Sequence, residues 1–221
     1  MIESIERSPD VRDLVSLALV EGRGARPGAG EPELGDEIAR AVEDLCRSHA
    51  GQTAGQIPHL QPARELYHAL GIDPTRHRPS PEALLRRILR GDEFPRIHPA
   101  VDLGNLWALL SGLPIGLYDM ARVEGGKVTV RRGAAGESFP GINKPEIHVE
   151  GRLVLADARG PFGNPTSDSA RTAVGAQTTD LLYVMFAPTG FDIGRLDRWT
   201  AWLRERLEAL LEARAISGVL P

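Results

Sequence analysis

Apolar residues follow two different spacings along the chain. Up to about residue 110 they recur at every third or fourth position, a spacing typical of helices with one buried face. Beyond Leu117 they alternate with polar residues, as in strands. The first spacing, which returns near the end of the chain, predicts helices over 11–20, 32–50, 62–70, 81–90, 101–110 and 194–213. Residues 17–20 also fit a strand, because the apolar run is short and has β-branched neighbours.

The stretch 73–119 holds the densest set of turn and helix signals, and the other elements are organised around it. Pro74 opens a turn, since proline fixes φ and keeps the preceding residue out of the helical region. Ser80 is the predicted N-cap of a helix. Pro81 suits the first helical position, and Glu82 complements the positive end of the helix.

The second half of the chain is predicted to form strands. The predicted elements are a hairpin of 117–123 with 127–132, a glycine-rich connection over 133–143, a second hairpin within 147–156 broken at 150–151, a long loop over 159–172 and a strand over 181–186. Helices followed by strands and one last helix indicate a single α+β domain over 1–221. We expect an antiparallel-rich sheet flanked by helices, with the helices on one side.

A local excess of positive charge lies within an acidic chain. The formal net charge is -4, so the surface as a whole does not attract polyanions. Residues 64–96 nevertheless hold seven Arg against five Asp and Glu, together with His68 and His77. This excess fits either a phosphate-contact surface or a solvated helix face. If the chain binds RNA, it does so through a local patch of this kind.

Several classes of protein are disfavoured by what the sequence lacks. The one cysteine, Cys46, allows neither an intrachain disulfide nor a zinc cluster, and it lies within an apolar helical run. The loop over 22–30 is rich in glycine but lacks the phosphate-binding pattern, so a surface loop is expected. No metal-ligand or cofactor motif is present, and none is expected. The chain has no apolar run long enough to cross a membrane and no signal-peptide pattern, which predicts a cytoplasmic protein.

Polar residues of the central stretch are predicted to converge near the bend at Pro114. They are Arg76, Arg78, Ser80, Glu82, Asp102, Asn105 and Asp119. In a functional interpretation, arginine side chains hold a phosphate or carboxylate, and Asp102, Asp119 or Glu137 receives an amino group. In a structural interpretation, Arg76 and Arg78 join helix ends to Asp102 or Asp119. Both interpretations stay open.

Further polar residues flank the predicted loop over 159–172. Asp157 and Asp168 lie at its two sides and could form a carboxylate pair, although Asp157 also fits a turn or cap. Thr172, Thr178 and Thr179 could line a pocket, but threonine is common in strands for other reasons.

The ordered motifs of the chain resemble a known family. The run from Asp73-Pro74-Thr75-Arg76 to Pro114, Gly116 and Tyr118-Asp119 is similar to the B3/B4 domain, the tRNA-editing module of the bacterial phenylalanyl-tRNA synthetase β subunit. The similarity continues through Val130-Arg131-Arg132, Leu153-Val154-Leu155-Ala156-Asp157 and Thr178-Thr179 to Phe186 and Pro188. It covers about 64–188, and the terminal helical parts resemble the free-standing form of the family.

This resemblance implies a B3/B4-like fold and a pocket that removes a wrong amino acid, typically tyrosine, from tRNA. The pocket Asn and Pro of the family fall on Asn105 and Pro114, and a Thr falls on Gly104. The family's pocket His falls on Gly116 and its specificity Glu falls near Leu182. A pocket without that Glu is not expected to select a tyrosine hydroxyl, so a smaller or more apolar amino acid is expected.

The resemblance therefore predicts a metal-free trans-editing hydrolase acting on aminoacyl-tRNA. Asn105 and Gly116 would carry the catalysis, with Pro114 beside the amino acid. Arginines would bind the tRNA acceptor end; they are Arg76, Arg78, Arg86, Arg87 and Arg90. Two alternatives stay open, a tRNA-binding module without catalysis and a small-molecule pocket protein of the same fold.

Overall fold

A computed structural model describes residues 2–26, 28–142 and 144–221. The helices are α1 Pro9–Arg12, α2 Glu31–Ser48, α3 Gln61–Ala69, α4 Ser80–Leu89, α5 Pro99–Ser111 and α6 Ile193–Leu210. The strands are β1 Ser4–Arg7, β2 Val15–Arg23, β3 Ile115–Asp119, β4 Lys127–Arg132, β5 Ser138–Gly141, β6 Lys144–His148, β7 Leu153–Asp157, β8 Gly160–Asn164, β9 Ser167–Asp168, β10 Leu181–Pro188 and β11 Arg214–Leu220. No helix within this described part is long and apolar enough to cross a membrane.

Two sheets and a hairpin organise these strands. One sheet has the order β11-β2-β10-β3 and is antiparallel throughout. The other has the order β1-β4-β7-β8-β9, in which only the β1–β4 pair is parallel, and β5 pairs with β6. The prediction of an α+β fold with an antiparallel-rich sheet flanked by helices is confirmed.

Strand β10 lies between two hydrophobic cores, because its successive side chains point to opposite faces. Tyr183 and Met185 pack in the core that contains α5 and α6. Leu182 and Val184 pack in a second core, shared with the other sheet and with α3. Helices α2, α4, α5 and α6 cover one face of the first sheet, and the second sheet covers the other. The expectation that the helices lie on one side is wrong for α3, which packs in the second core.

The predicted helix over 11–20 is wrong, and its alternative, a strand, is correct. Helix α1 ends at Arg12 and β2 begins at Val15. Strand β2 pairs on both sides, with β10 and β11. Because both of its faces are largely buried, its apolar residues run almost continuously and carry no period of two.

Both predicted hairpins are also wrong. After β3 the chain forms a 3-10 turn over Met120–Arg122, where the Asp119 carboxylate accepts from the Ala121 N–H at 3.0 Å. Strand β3 then pairs with β10, whereas β4 pairs with β1 and β7. Strands β6 and β7 likewise belong to different sheets. Local turn residues cannot distinguish a hairpin from a crossing between sheets.

Other boundaries differ in smaller ways. The glycine-rich connection contains β5, and the predicted loop over 159–172 contains β8 and β9. The loop over 22–30 is shorter than predicted, since β2 continues to Arg23; Pro27 lies outside the described residues. Strand β11 was not predicted. Helix α4 begins at Ser80 itself, with Pro79 as its N-cap, so the prediction that Ser80 is the N-cap is one residue out.

Helix α5 can approach the sheet closely because of a glycine. A Cβ added at Gly104 would lie 3.3 Å from the Tyr183 ring, tighter than most real contacts. The Tyr183 hydroxyl in turn donates to the Ala100 carbonyl at 2.8 Å. At the end of the helix, Gly112 has a φ of 74° and turns the chain toward β3. These contacts place Asn105 beside the open edge of the sheet.

Candidate functional site

A cavity of about 330 Å³ lies between α5, β3 and the segment around Val174. This volume is at the small end of the range for small-molecule sites, about 300–1,000 Å³. Most of its described lining is apolar or glycine: Ile97, Val101, Gly104, Ala108, Ile115, Leu117, Ile142, Ala173 and Val174. Ile97 and Ile142 are 71% and 46% exposed. Exposed isoleucines around an apolar cavity are typical of a binding site.

Three polar side chains complete the described lining, namely Ser80, Asn105 and Asp168. Ser80 comes from the first turn of α4 and Asn105 from the middle of α5, and both are half-buried. Asp168 comes from the short strand β9. The structure thus brings three residues of the predicted set into one cavity, although they lie far apart in sequence.

Asp168 is held at the free edge of β3. Its carboxyl accepts from the Tyr118 hydroxyl at 2.6 Å. Burial raises the pKa of Asp168 to about 7, against the opposing effects of this hydrogen bond and of the Leu117 backbone. The group is therefore partly protonated near neutral pH.

A groove lined with arginine adjoins the cavity. It has a volume of about 540 Å³, and its described lining includes Arg78, Arg86, Arg87 and Arg90. Ser80 and Asn105 line both the groove and the cavity. The two spaces therefore meet at these residues, so one ligand can occupy both.

The arginines of the groove differ in their own partners. Arg78 lies 3.4 Å from the Glu82 carboxylate, and Arg90 lies 3.0 Å from that of Asp92. Arg87 donates to the Glu93 carbonyl. Arg86 is exposed. The pair of Arg90 and Asp92 is exposed on both sides, so it is weak and can exchange for a phosphate.

Glu82 lies on the other side of α4, in a second cationic cavity of about 450 Å³. Its carboxylate is buried and pairs with Arg64 at 2.6 Å and Arg78 at 3.4 Å. Because two guanidinium groups already bind its carboxylate, Glu82 positions the side chains of Arg64 and Arg78. Its predicted role in substrate binding stays a prediction.

Asp102 and Asp119 are buried and serve the ends of local elements. Asp102 accepts from Arg96 Nε at 2.9 Å and from the Ile97 N–H at 2.8 Å, and so fixes the start of α5. Asp119 accepts from the Thr178 hydroxyl at 2.7 Å. The structural interpretation describes both aspartates, but with other arginines than expected, since Arg96 and Arg122 are the partners.

The other predicted substrate-binding residues do not line the cavity or the groove. Arg76 is exposed and lies 3.7 Å from Asp73. Glu137 holds Arg131 through two bonds of 2.7 and 2.8 Å. Thr172 is fully buried, and its hydroxyl has no hydrogen-bond partner among the described residues.

Pro114 and Asp157 also make contacts within the fold; the predicted place of Pro114 beside the amino acid stays a prediction. The Pro114 carbonyl accepts from the Phe186 N–H at 3.0 Å, so this bend ties β3 to β10. Asp157 forms a two-bond pair with Arg171 at 2.8 and 2.9 Å. It therefore has a different partner from Asp168, and the structure shows no pair of these carboxylates.

Gly116 and Leu182, the positions at which the resemblance places a His and a Glu in other members of the family, do not line the cavity. A Cβ at Gly116 would be 2.1 Å from the Tyr118 hydroxyl, so that hydroxyl fills the space of a side chain at 116. Leu182 is buried in the core between the sheets. The residue of β10 that faces α5 is Tyr183, beside Gly104.

Sequence reasoning missed the apolar part of the site. Ile97 and Ile142 stand in irregular segments between the predicted elements, where an apolar side chain has no core of its own to join. Ala173 and Val174 follow the predicted loop. The one sequence signal for this apolar wall is Ile97, an isoleucine flanked by arginine, histidine and proline.

Comparison with known proteins decides the family. Residues 62–209 match the family model of the B3/4 domain. The chain belongs to the B3/4 domain family. The predicted resemblance over 64–188 is thereby confirmed, and it extends through α6.

This B3/4 domain protein is similar to beta subunits of phenylalanine–tRNA ligase. It is 27% identical to that of Lactobacillus acidophilus over 177 residues, 77% of this chain and 21% of that protein. It is 32% identical to that of Chromobacterium violaceum over 153 residues, 66% of this chain and 17% of that protein. The chain thus spans about a fifth of the length of these relatives.

Among solved structures, one similar chain is an N-terminal fragment of the phenylalanyl-tRNA synthetase beta-subunit from Pyrococcus horikoshii. It superimposes with a TM-score of 0.47 at 11% sequence identity, over 99% of this chain and 54% of that chain.

Proposed function

We propose that this B3/4 domain binds the aminoacylated 3′ end of tRNA and hydrolyses the ester of a wrongly attached amino acid. The amino acid occupies the cavity and the RNA backbone lies along the arginine groove. The protein acts in trans, on tRNA charged elsewhere, and we expect it in the cytoplasm.

The observation that supports this proposal most is the junction at Ser80 and Asn105. On one side lies a cavity with mainly apolar walls, and on the other a groove with the guanidinium groups of Arg78, Arg86, Arg87 and Arg90. A matching ligand has an apolar group joined to a polyanion through a short polar link. An aminoacyl ester on the terminal ribose of an RNA has this composition, and guanidinium groups suit its phosphates.

The charge of the chain is consistent with a local contact of this kind. The net charge is -4, so long-range attraction to RNA is weak and the groove supplies the binding. Arg86 and Arg87 lie on α4, and Arg78 and Arg90 lie just before and just after it; the other face of α4 is buried against α5. The groove is therefore rigidly joined to the cavity.

Asn105 is the proposed catalytic side chain. An aminoacyl ester is already activated, so water can attack it once the developing negative charge on the carbonyl oxygen is stabilised. The Asn105 amide can donate to that oxygen at the junction, and a donor of this kind is worth about 10²–10³ in rate. Gly116 does not line the cavity, and its proposed contribution is to leave room for the Tyr118 hydroxyl, which holds Asp168.

A deacylation assay on a panel of mischarged tRNAs tests the proposal. We expect ester hydrolysis above the uncatalysed rate for at least one apolar amino acid smaller than tyrosine. Asn105→Ala is expected to lower kcat by about 10²–10³. The control is Arg204→Ala, an exposed residue of α6. Absence of hydrolysis across the panel would contradict the enzymatic part.

A second candidate is a tRNA-binding module without catalysis. It is favoured by the lining of the cavity, because the described residues there include no histidine and the space at Gly116 is filled by the Tyr118 hydroxyl. This candidate predicts salt-dependent binding of tRNA, since phosphate contacts release counterions, with no loss of the ester.

A further inference from the structure

Asp168 contributes a carboxyl group to a cavity whose other described lining residues are uncharged. It is the one ionisable side chain among the described residues that line the cavity. The described neighbours on every lining element are neutral, with Ser80 on α4, Asn105 on α5, Leu117 on β3 and Ile142 at the end of β5.

Among the described side chains, the carboxyl of Asp168 has a hydrogen-bond donor but no cation. Tyr118 donates one hydrogen bond to it, while an ionised carboxylate can accept about four. The nearest arginine along the chain, Arg171, is bound to Asp157 by two hydrogen bonds. Asp168 is half-buried in the wall of the cavity, so a cationic group that enters the cavity can form a charge-assisted hydrogen bond with its carboxylate.

We propose, on the basis of the function proposed above, that Asp168 receives the free α-ammonium group of the bound amino acid. The ammonium nitrogen is two bonds from the ester carbonyl carbon, so both groups must enter the same cavity. With the ester at Ser80 and Asn105, Asp168 is the charged group that remains for the amine. The apolar walls then receive the side chain.

This assignment defines a substrate class. The site accepts aminoacyl esters with a free amine and an apolar side chain, and it rejects N-acylated esters such as N-acetyl-aminoacyl-tRNA. Acylation removes the positive charge and leaves the Asp168 carboxylate unpaired beside an amide. Sites built around a buried polar partner discriminate strongly against ligands that lack it.

The test compares binding of two non-hydrolysable probes. Each is a minihelix RNA whose 3′ end carries leucine through an amide link, one with a free amine and one N-acetylated. We expect the wild-type protein to bind the free-amine probe about 100-fold more tightly. Asp168→Asn is expected to reduce the ratio to within about twofold by weakening the free-amine probe alone. Glu208→Gln, an exposed carboxylate of α6, is the control.

The same comparison on leucyl-tRNA and N-acetyl-leucyl-tRNA separates the outcomes. Equal binding of both probes by the wild type would overturn the role of Asp168, whether or not the ester is cleaved. Discrimination between the probes without cleavage of leucyl-tRNA would leave amine recognition intact and refute hydrolysis of the leucyl ester. If Asp168→Asn lowers kcat on both esters equally while the binding ratio persists, Asp168 acts on the attacking water instead, and the inference fails.

Discussion

Replacing Asp168 by asparagine tests the environment of the cavity through protein stability. The substitution keeps the shape of the side chain and an oxygen that accepts from the Tyr118 hydroxyl, but it removes the ionisable group. Burial raises the pKa of Asp168 to about 7, whereas an unfolded aspartate titrates near ~3.9. The native state therefore binds the proton more tightly than the unfolded state.

The sign and size of the effect follow from this difference. As the pH rises from the unfolded pKa through the folded pKa, the wild type loses stability, because ionisation costs more in the native protein. The difference is about three pKa units at 1.36 kcal/mol each, so the loss approaches ~4 kcal/mol above about pH 7.5. Asparagine at 168 does not incur this loss.

Urea unfolding of both proteins at about pH 5 and pH 8 measures the effect. Titrating groups that do not contact Asp168 cancel in the comparison of variant with wild type. Tyr118 stays protonated at both pH values, because burial raises its pKa well above its ordinary value. We expect the free energy of unfolding of Asp168→Asn, relative to wild type, to rise by about 2–3 kcal/mol between the two pH values. A difference that is the same at both pH values would refute the reasoning, since it would show that Asp168 titrates normally.

Three further predictions concern the groove and the packing around the site. Arg86→Ala is expected to weaken tRNA binding in filter-binding titrations. The slope of log K against log salt should fall in magnitude by about 0.7–0.9, which is the effect of one lost phosphate contact. The control variant Arg204→Ala should match the wild type. Glu82→Gln is expected to lower the free energy of unfolding by about 3 kcal/mol, because two arginines lose their buried partner, and denaturant titration showing less than about 0.5 kcal/mol would contradict this. Gly163→Ala is expected to lower the free energy of unfolding by about 1–3 kcal/mol, since the new Cβ would lie 2.1 Å from the Tyr118 hydroxyl. An unchanged thermal midpoint would show that the Tyr118 hydroxyl is free to move away from residue 163.

The helices and their buried faces could be predicted from the sequence. The apolar periodicity of α2, α3, α4 and α6 located each helix to within a few residues, because each has one face in the core and one in water. The family resemblance could also be recognised from ordered short motifs. Both signals are local, or depend only on the order of local features along the chain.

The pairing of the strands could not be predicted from the local sequence pattern. Strands β3 and β4 are neighbours in sequence and look like a hairpin, yet they belong to different sheets. Their partners, β10 for β3 and β1 with β7 for β4, are distant in sequence. Pairing of this kind depends on which apolar faces meet, and turn residues do not encode that.

The residues of the candidate site also fall into two groups, those that the sequence located and those that only the fold brought together. The sequence alone determined that Asn105 and the arginines of α4 stand on adjoining helices, because helix periodicity and the intervening turn are local properties. Only the tertiary structure decided that Asp168, on a strand more than fifty residues further along, lies in the cavity beside Asn105. It also turned Asp102 and Asp119 inward to cap local elements. The direction in which a carboxylate points depends on the packing of the surrounding elements, which are distant in the chain and meet only in the folded protein.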